Sequence, residues 1–378
     1  MARGSVTKRN GAWGFRVDAG LDPETGRRRQ IRRQGFQTKR QAEAALAELQ
    51  KTVNDGAVVL ATGMRLGDFL DEWLAGQRSR LRPSSHYSYV IATKRLKKHL
   101  GGCKLQALTP LQIEKVYAGL LDHGGRAGEP LSPKTVKNTH VVLRKALADA
   151  ERLGLVSRNA AAAARGPAAS RPEMQTWSSD QLKTFIESAA HSRLRYAFTI
   201  LATTGMRRGE ALGLRWSDVD LDSSQIAIVQ TVSMVDGKIV IGQPKTSGSR
   251  RTVYVHDTTT KALRQQRQLQ AEERLAAGPG WEIDNDLVFR SVTGAPVNPD
   301  WFSRHFNDLV ERADVPRIRL HDLRHTNATL SLKAGVHPKV VSERLGHSSI
   351  AITLDLYSHV TPGISREAAA AVESMMFD

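Results

Sequence analysis

Between Lys39 and about Asn54, Ala42, Ala45, Leu46 and Leu49 recur at three- and four-residue spacings. That is one apolar stripe along a helix. Thr38-x-x-Gln41 supplies a capping box where the helix should begin. Upstream the period shortens to two. Ser5 to Lys8, Trp13 to Ala19 and Arg27 to Gly35 read as strands, with Asp22-Pro-Glu-Thr-Gly26 as a turn. The pattern predicts a three-stranded sheet with the helix on one face. Arg27, Arg29, Arg33, Arg16 and Trp13 are expected on the other.

The next stretch, about Met64 to Ala160, reads as all helix. Leu66 to Arg80 carries Phe69, Trp73 and Leu74, and Ser85 to Leu100 follows Pro83-Ser84. Thr109-Pro110 and Ser132-Pro133 each place a cap before a first-turn proline. They open helices to about His123 and to Leu153, where Gly154 stops the second. The alanine run Ala160 to Ala164, followed by Arg165-Gly-Pro167 and Arg171-Pro172, reads as a linker. Ser178-x-x-Gln181 then caps a new helix. Strand-like runs return at Gln225 to Val232, Lys238 to Ile241 and Arg251 to His256. The fold class is multidomain, mainly α with small β-sheets. It comprises residues 1–61 (sheet plus helix), 62–160 (helical), a linker at 161–175, and a mixed α+β part at 176–378.

Charge narrows the partner. The formal net charge is +17, an excess that attracts polyanions and makes their binding salt-dependent. No run of eighteen apolar residues exists, and the start, MARGSVTKRNGAWGF, lacks an apolar signal core. Only Cys103 is present, so no internal disulfide can form, as in a reducing cytoplasm.

The chemistry concentrates near the carboxyl end. HDLRH (His321 to His325), LGH (Leu345 to His347) and LDLYSH (Leu354 to His359) bring two imidazoles, a guanidinium and a phenol into short order. Arginine and histidine can neutralise a phosphate while a tyrosine oxygen attacks phosphorus. Upstream, TGMRRGEALGLRWSDVD, ending at Asp220, adds Arg207, with Glu210 three residues on to orient it and complement a helix start. QPKTSGSRRTVYV (Gln243 to Val255) puts Lys245 at a Thr-Ser-Gly-Ser turn between strand-like runs, as at a hairpin tip.

Each residue has a plainer reading. A single tyrosine is usually a half-buried aromatic, and Lys245 beside Arg250 and Arg251 is equally a solvated or DNA-facing basic segment. His321 and His325, at i,i+4, have zinc-ligand spacing. The arginine between them, Arg324, opposes a metal. On a helix His321 and Arg324 share a face, which suits two groups reaching one phosphate.

Taken in order, Arg207, Lys245, His321, Arg324, His347 and Tyr357 resemble the active site of the tyrosine recombinases, the phage-integrase family. The resemblance implies that Arg207, Arg324 and His347 stabilise the phosphate. Tyr357 would attack to leave a 3′-phosphotyrosine, Lys245 would protonate the leaving 5′ oxygen, and His321 would move the tyrosine proton. It implies no metal, ATP or other cofactor. The first sixty residues resemble the family's arm-type DNA-binding domain. The helical part resembles its core-binding domain, with Arg82, Lys94, Lys134 and Lys137 as candidate DNA contacts beside Arg250 and Arg251. A homotetramer on double-stranded DNA in a bacterial cytoplasm is implied, with an excision factor and a host DNA-bending protein as further partners. The apolar tail, Ser365 to Phe377, would dock on a neighbouring protomer. The readings held beside this integrase are a transposase of the same catalytic family and a non-catalytic DNA-binding architectural or regulatory protein.

Overall fold

The protein is described by a computed structural model. It describes residues 4–21, 28–54, 63–168, 174–244, 250–347, 349–360 and 373–377. The chain divides into two compact units, Met1–Arg171 and Pro172–Asp378.

The first unit opens with an antiparallel sheet in the order β1 (Gly4–Arg9), β2 (Ala12–Leu21), β3 (Arg28–Phe36). Asn10 and Gly11, at φ 47° and 79°, make the two-residue turn whose twist matches the strands. In α1 (Lys39–Asn54) the Thr38 hydroxyl accepts the Gln41 N–H at 3.2 Å, and Gln41 Oε1 accepts the Thr38 N–H at 3.3 Å. Phe15, Val17 and Leu46 form the small core between sheet and helix, with Val6, Ile31 and Phe36 packed against it. The register corrects the expected arginine face. Arg33 pairs with Phe15, and Ile31 with Val17, so Arg33 falls on the helix side of the sheet. Arg16 pairs with Arg32, and this exposed pair occupies the open face. Trp13, in step with Phe15, also lies on the helix side. Arg27 lies outside the described residues, as does the side chain of Arg29.

The helical part comprises α2 (Leu66–Gln77), α3 (Pro83–Leu100), α4 (Pro110–His123), α5 (Pro133–Arg152) and the single turn α6 (Ala160–Ala163). Thr109 forms a capping box with Gln112, and the Ser132 side chain accepts the Thr135 N–H. Gly154, at φ 71°, lets the chain turn back after α5. Trp73 donates its indole N–H to Asp149 at 2.8 Å, which ties α2 to α5. The alanine run departs from the linker reading. Ala160, Ala161 and Ala164 are buried in the helical core. Asn159 caps their turn and donates to the Arg144 carbonyl at 2.8 Å. Alanine is small enough for this backbone to pack closely, so the run finishes the core. Arg82, Lys94, Lys134 and Lys137 are exposed.

The second unit contains α7 (Ser179–Ser188), α8 (Arg195–Thr204), α9 (Arg208–Leu212), β4 (Val219–Asp220), β5 (Gln225–Ile228), β6 (Thr231–Val235), β7 (Lys238–Gly242) and β8 (Arg251–Tyr254). The helices α10 (Asp257–Ala277), α11 (Pro299–Arg312), α12 (Asp322–Lys333), α13 (Pro338–Leu345) and α14 (Ala351–Val360) follow. Ser178 and Gln181 form the capping box of α7. Its core is aromatic: Trp177, Phe185, Phe198, Phe302 and Phe306 are all buried. Trp177 also donates its indole N–H to the Pro316 carbonyl at 2.7 Å. The strands do not form the expected hairpin around Lys245. β7 pairs with β6, whereas β8 joins β5 in a separate sheet with β4. Residues 245–249, Lys245 among them, lie outside the described residues.

The end of α8 is locked to α12. Asn327 donates to the carbonyls of Ala202 and Thr203 at 2.8 and 3.1 Å, which satisfies acceptors that a helix end leaves open. Gly205 follows at φ 63°, where an added Cβ would meet Leu345 at 2.2 Å and Asn327 at 2.9 Å. Only glycine allows that turn. In the tail, Met375, Met376 and Phe377 are exposed on a short helical segment. Among the described residues no helix is long and apolar enough to cross a membrane.

Candidate active site

The Gly205 turn delivers Arg207 to the start of α9. The Arg207 guanidinium donates to Glu210 at 2.7 Å and to the Gly346 carbonyl at 2.9 Å. Arg324, in the first turn of α12, donates through Nη1 to the Gly205 carbonyl at 2.9 Å. Arg251 reaches the other Glu210 oxygen at 2.9 Å and the Arg344 carbonyl at 2.7 Å. Segments far apart in the chain thus meet through arginines that grip backbone carbonyls.

The electrostatics are lopsided. Arg207, Arg251 and Arg324 surround a single carboxylate, Glu210. Arg324 is only 3 % exposed, and its Nη2 is buried with no hydrogen-bond partner among the described residues. Desolvation, then the charges of Arg207 and Arg251, push Arg324 down to about 9 against the pull of Glu210. It therefore stays charged at neutral pH. A buried cation with an idle donor is costly unless an anion completes it.

Glu210 is 3 % exposed. Burial alone would raise its carboxyl, but the Arg251 hydrogen bond and charge, followed by Arg207, hold it below the ordinary range. Glu210→Ala is expected to destabilise the fold by about 3–5 kcal/mol, because it leaves buried arginines without a counter-charge. Urea denaturation followed by near-UV circular dichroism measures this. A change of less than about 0.5 kcal/mol, the scale of an ordinary surface substitution, would contradict it.

His347 follows the Gly346 carbonyl that Arg207 grips. Its Nδ1 lies 2.8 Å from the hydroxyl of Thr353. Desolvation, then Arg324 and Arg207, lower it to about 3, so the ring is neutral at physiological pH. His321 immediately precedes α12 and is exposed. It is also held below its ordinary value, first by desolvation and then by neighbouring positive charge. A cleft of about 790 Å³ opens beside it, with Arg208, Arg317 and Arg319 in its lining. His325 meets His321 edge-on at 5.2 Å. Among the described residues, no trio of His, Cys, Asp and Glu is placed to hold a metal ion.

The structure thus gathers Arg207, Glu210 and Arg324, with His347 and His321 in their field. Tyr357 lies in α14, its side chain outside the described residues, and Lys245 lies outside them entirely. Arg250 is exposed. Arg251, expected as a DNA contact, is instead 7 % exposed and committed to Glu210. The signal was present in the sequence: Arg251 is in step with Val253, which is buried in β8. Asn327, Arg344 and Thr353 were missed. Arg344 donates to the Tyr254 and Thr203 carbonyls at 2.7 and 3.3 Å, and no local pattern marks such long-range bonds.

The sequence pattern of the phage integrase family matches residues 175–363. An arm DNA-binding domain matches residues 5–53, and the N-terminal SAM-like domain of phage integrases matches residues 65–121. A XerC-like tyrosine recombinase of Caldanaerobacter subterraneus subsp. tengcongensis is 29% identical, covering 99% of both chains. The ICEBs1 integrase of Bacillus subtilis is 27% identical, covering 97% of this chain and 98% of its own. Among solved structures, the Tn1549 transposon integrase in complex with circular intermediate DNA has a TM-score of 0.67 at 20% identity, covering 82% of this chain and 99% of that one. A lambda integrase tetramer bound to a Holliday junction has a TM-score of 0.59 at 18% identity, covering 93% and 94%. The fold is shared with both, and with half its length matched by the family pattern, the chain belongs to the phage integrase family of tyrosine recombinases.

Proposed function

We propose that this recombinase cuts and rejoins DNA at specific sites through a 3′-phosphotyrosine and a Holliday junction, integrating and excising a phage or other mobile element. The observation that carries the reading is the arginine cluster around Glu210, with its surplus of positive charge and a buried Arg324 donor that meets no partner among the described residues. A scissile phosphate is an anion of the right size and charge to complete it.

In this mechanism Arg207 and Arg324 bind the non-bridging oxygens, and His347 adds a third donor. The Tyr357 oxygen bonds to phosphorus as the bond to the 5′ oxygen breaks. The tyrosine proton passes to His321, whose neutral ring has a lone pair to receive it, and Lys245 gives a proton to the departing 5′ oxygen. One phosphoester replaces another, so a 5′-hydroxyl from a second strand can reverse the step on a new partner. The basic sheet and helical part hold the flanking and core duplex, with Arg16, Arg82, Lys94, Lys134 and Lys137 on phosphates. Four copies act on two sites, each lodging its exposed Met375, Met376 and Phe377 on a neighbour. A small excision factor and a host DNA-bending protein set direction, and the protein works in the bacterial cytoplasm.

The test is a nicked suicide duplex cut from the direct repeats that flank the gene, with the protein–DNA linkage mapped by mass spectrometry. Attachment of a DNA 3′ end to Tyr357 supports the reading; attachment elsewhere, or none, refutes it. Deleting residues 1–61 should spare this cleavage but impair integration that depends on flanking arm sites. Unchanged integration would remove the arm-binding role.

A further inference from the structure

The helix that carries the nucleophile also carries a buried hydroxyl without the usual partner. Helical threonines commonly donate to the carbonyl one turn back. In this protein Thr93, Thr139, Thr199 and Thr204 do so, toward Tyr89, Thr135, Arg195 and Ile200. Thr353 does not. Its side chain is fully buried, and its hydroxyl meets His347 Nδ1 at 2.8 Å. Among the described residues no carbonyl takes its proton.

We propose that Thr353 is a positioning residue which donates its proton to His347 Nδ1, leaves the ring's single N–H on Nε2, and aims that N–H at the scissile phosphate. This rests on the recombinase reading of the same site. A neutral imidazole has one donor and one acceptor nitrogen, and the partner of one nitrogen decides the state of the other. Were the Thr353 oxygen to accept from Nδ1, Nε2 would turn a lone pair toward a phosphate oxygen. The ring is neutral here because it is desolvated among cations, so it has no second N–H to offer. Thr353 also precedes Tyr357 by four residues, one turn along α14. The same bond therefore keys the nucleophile's helix to the phosphate cage.

The full-length protein is compared with Thr353→Val, close in shape but without the hydroxyl, and with Thr353→Ser. Single-turnover cleavage of the suicide duplex should slow about 10–100-fold in the valine variant, the scale of losing an orienting partner, and recover in the serine variant. Added to His347→Ala, the valine change should cost at most about twofold more, because both act through one ring. Full additivity would mean a merely structural role and overturn the inference. Nitrogen NMR of ¹⁵N-histidine protein provides a readout independent of activity and of the variants' folding. An Nε2-protonated pattern for His347 is expected in the wild type, and an Nδ1-protonated pattern overturns the proposal. Failure of the wild type to form any adduct would sink the recombinase reading instead, whereas an undiminished rate in Thr353→Val would sink only this inference.

Discussion

Tyr357→Phe is expected to abolish the covalent protein–DNA adduct while leaving DNA affinity within about twofold, because affinity is set by phosphate contacts that the change leaves in place. The substitution removes one oxygen. In the proposed reading, binding rests on the basic surfaces and the arginine cluster, none of which includes that atom. The formal charge of +17 is unchanged, so the salt dependence of binding should be unchanged as well. Cleavage has no such reserve. Water cannot replace the phenol productively, because the covalent linkage itself stores the broken bond for rejoining. Loss of a covalent nucleophile costs roughly 10⁴-fold or more. Labelled suicide duplex on a denaturing gel measures the adduct, and fluorescence anisotropy measures binding. An adduct that survives in the phenylalanine variant would move the nucleophile to another residue.

Arg324→Ala should separate catalysis from stability. Each preorganised donor lost from a charge-stabilising site costs about 3–4 kcal/mol, or roughly 10²–10³ in rate. A guanidinium holding a phosphate supplies more than one donor, so cleavage should fall by at least that factor. Arg207→Ala should fall comparably. Stability should respond in the opposite sense at Arg324. This side chain is buried among cations, its Nη2 has no partner among the described residues, and Arg207 and Arg251 repel its charge. Removing it relieves desolvation and like-charge repulsion that the proposed phosphate would offset. The melting temperature of Arg324→Ala should therefore equal or exceed that of the parent, whereas Glu210→Ala falls below it. The contrast distinguishes an anion cage from a structural ion-pair network, in which both changes would destabilise. Wild-type cleavage by Arg324→Ala would refute its assignment.

Much of this protein was legible before folding. The capping boxes at Thr38 and Ser178 and the cap at Thr109 need only residues within one turn, and the structure shows each of them, adding Gln112 as the box partner of Thr109. The stripe of Ala42, Ala45, Leu46 and Leu49 needs only helical periodicity. The motifs around Arg207, His321, Arg324 and His347 stand out because side-chain chemistry is written directly in residue type, and the structure brings these four side chains into one another's field. Errors arose where a residue's meaning depends on what it faces. A bulge-containing register, not composition, put Arg32 beside Arg16 and Arg33 on the helix side. The alanine run is featureless as sequence, and its burial is a property of the surrounding helices.

Residue types and short-range periods alone determined the helices, their caps, the basic character and the set of groups able to handle a phosphate. Only the tertiary structure decided which arginines are spent and which are free. Arg251 is committed to Glu210, Arg207 to Gly346 across 139 residues of chain, and Arg324 to Gly205 across 119, with one Arg324 donor unmet among the described residues. The physical reason is range. A cap or an amphipathic stripe is closed by neighbours within a turn or two, whereas a guanidinium acquires its partner, its burial and its electrostatic surroundings only after the core has brought distant segments together.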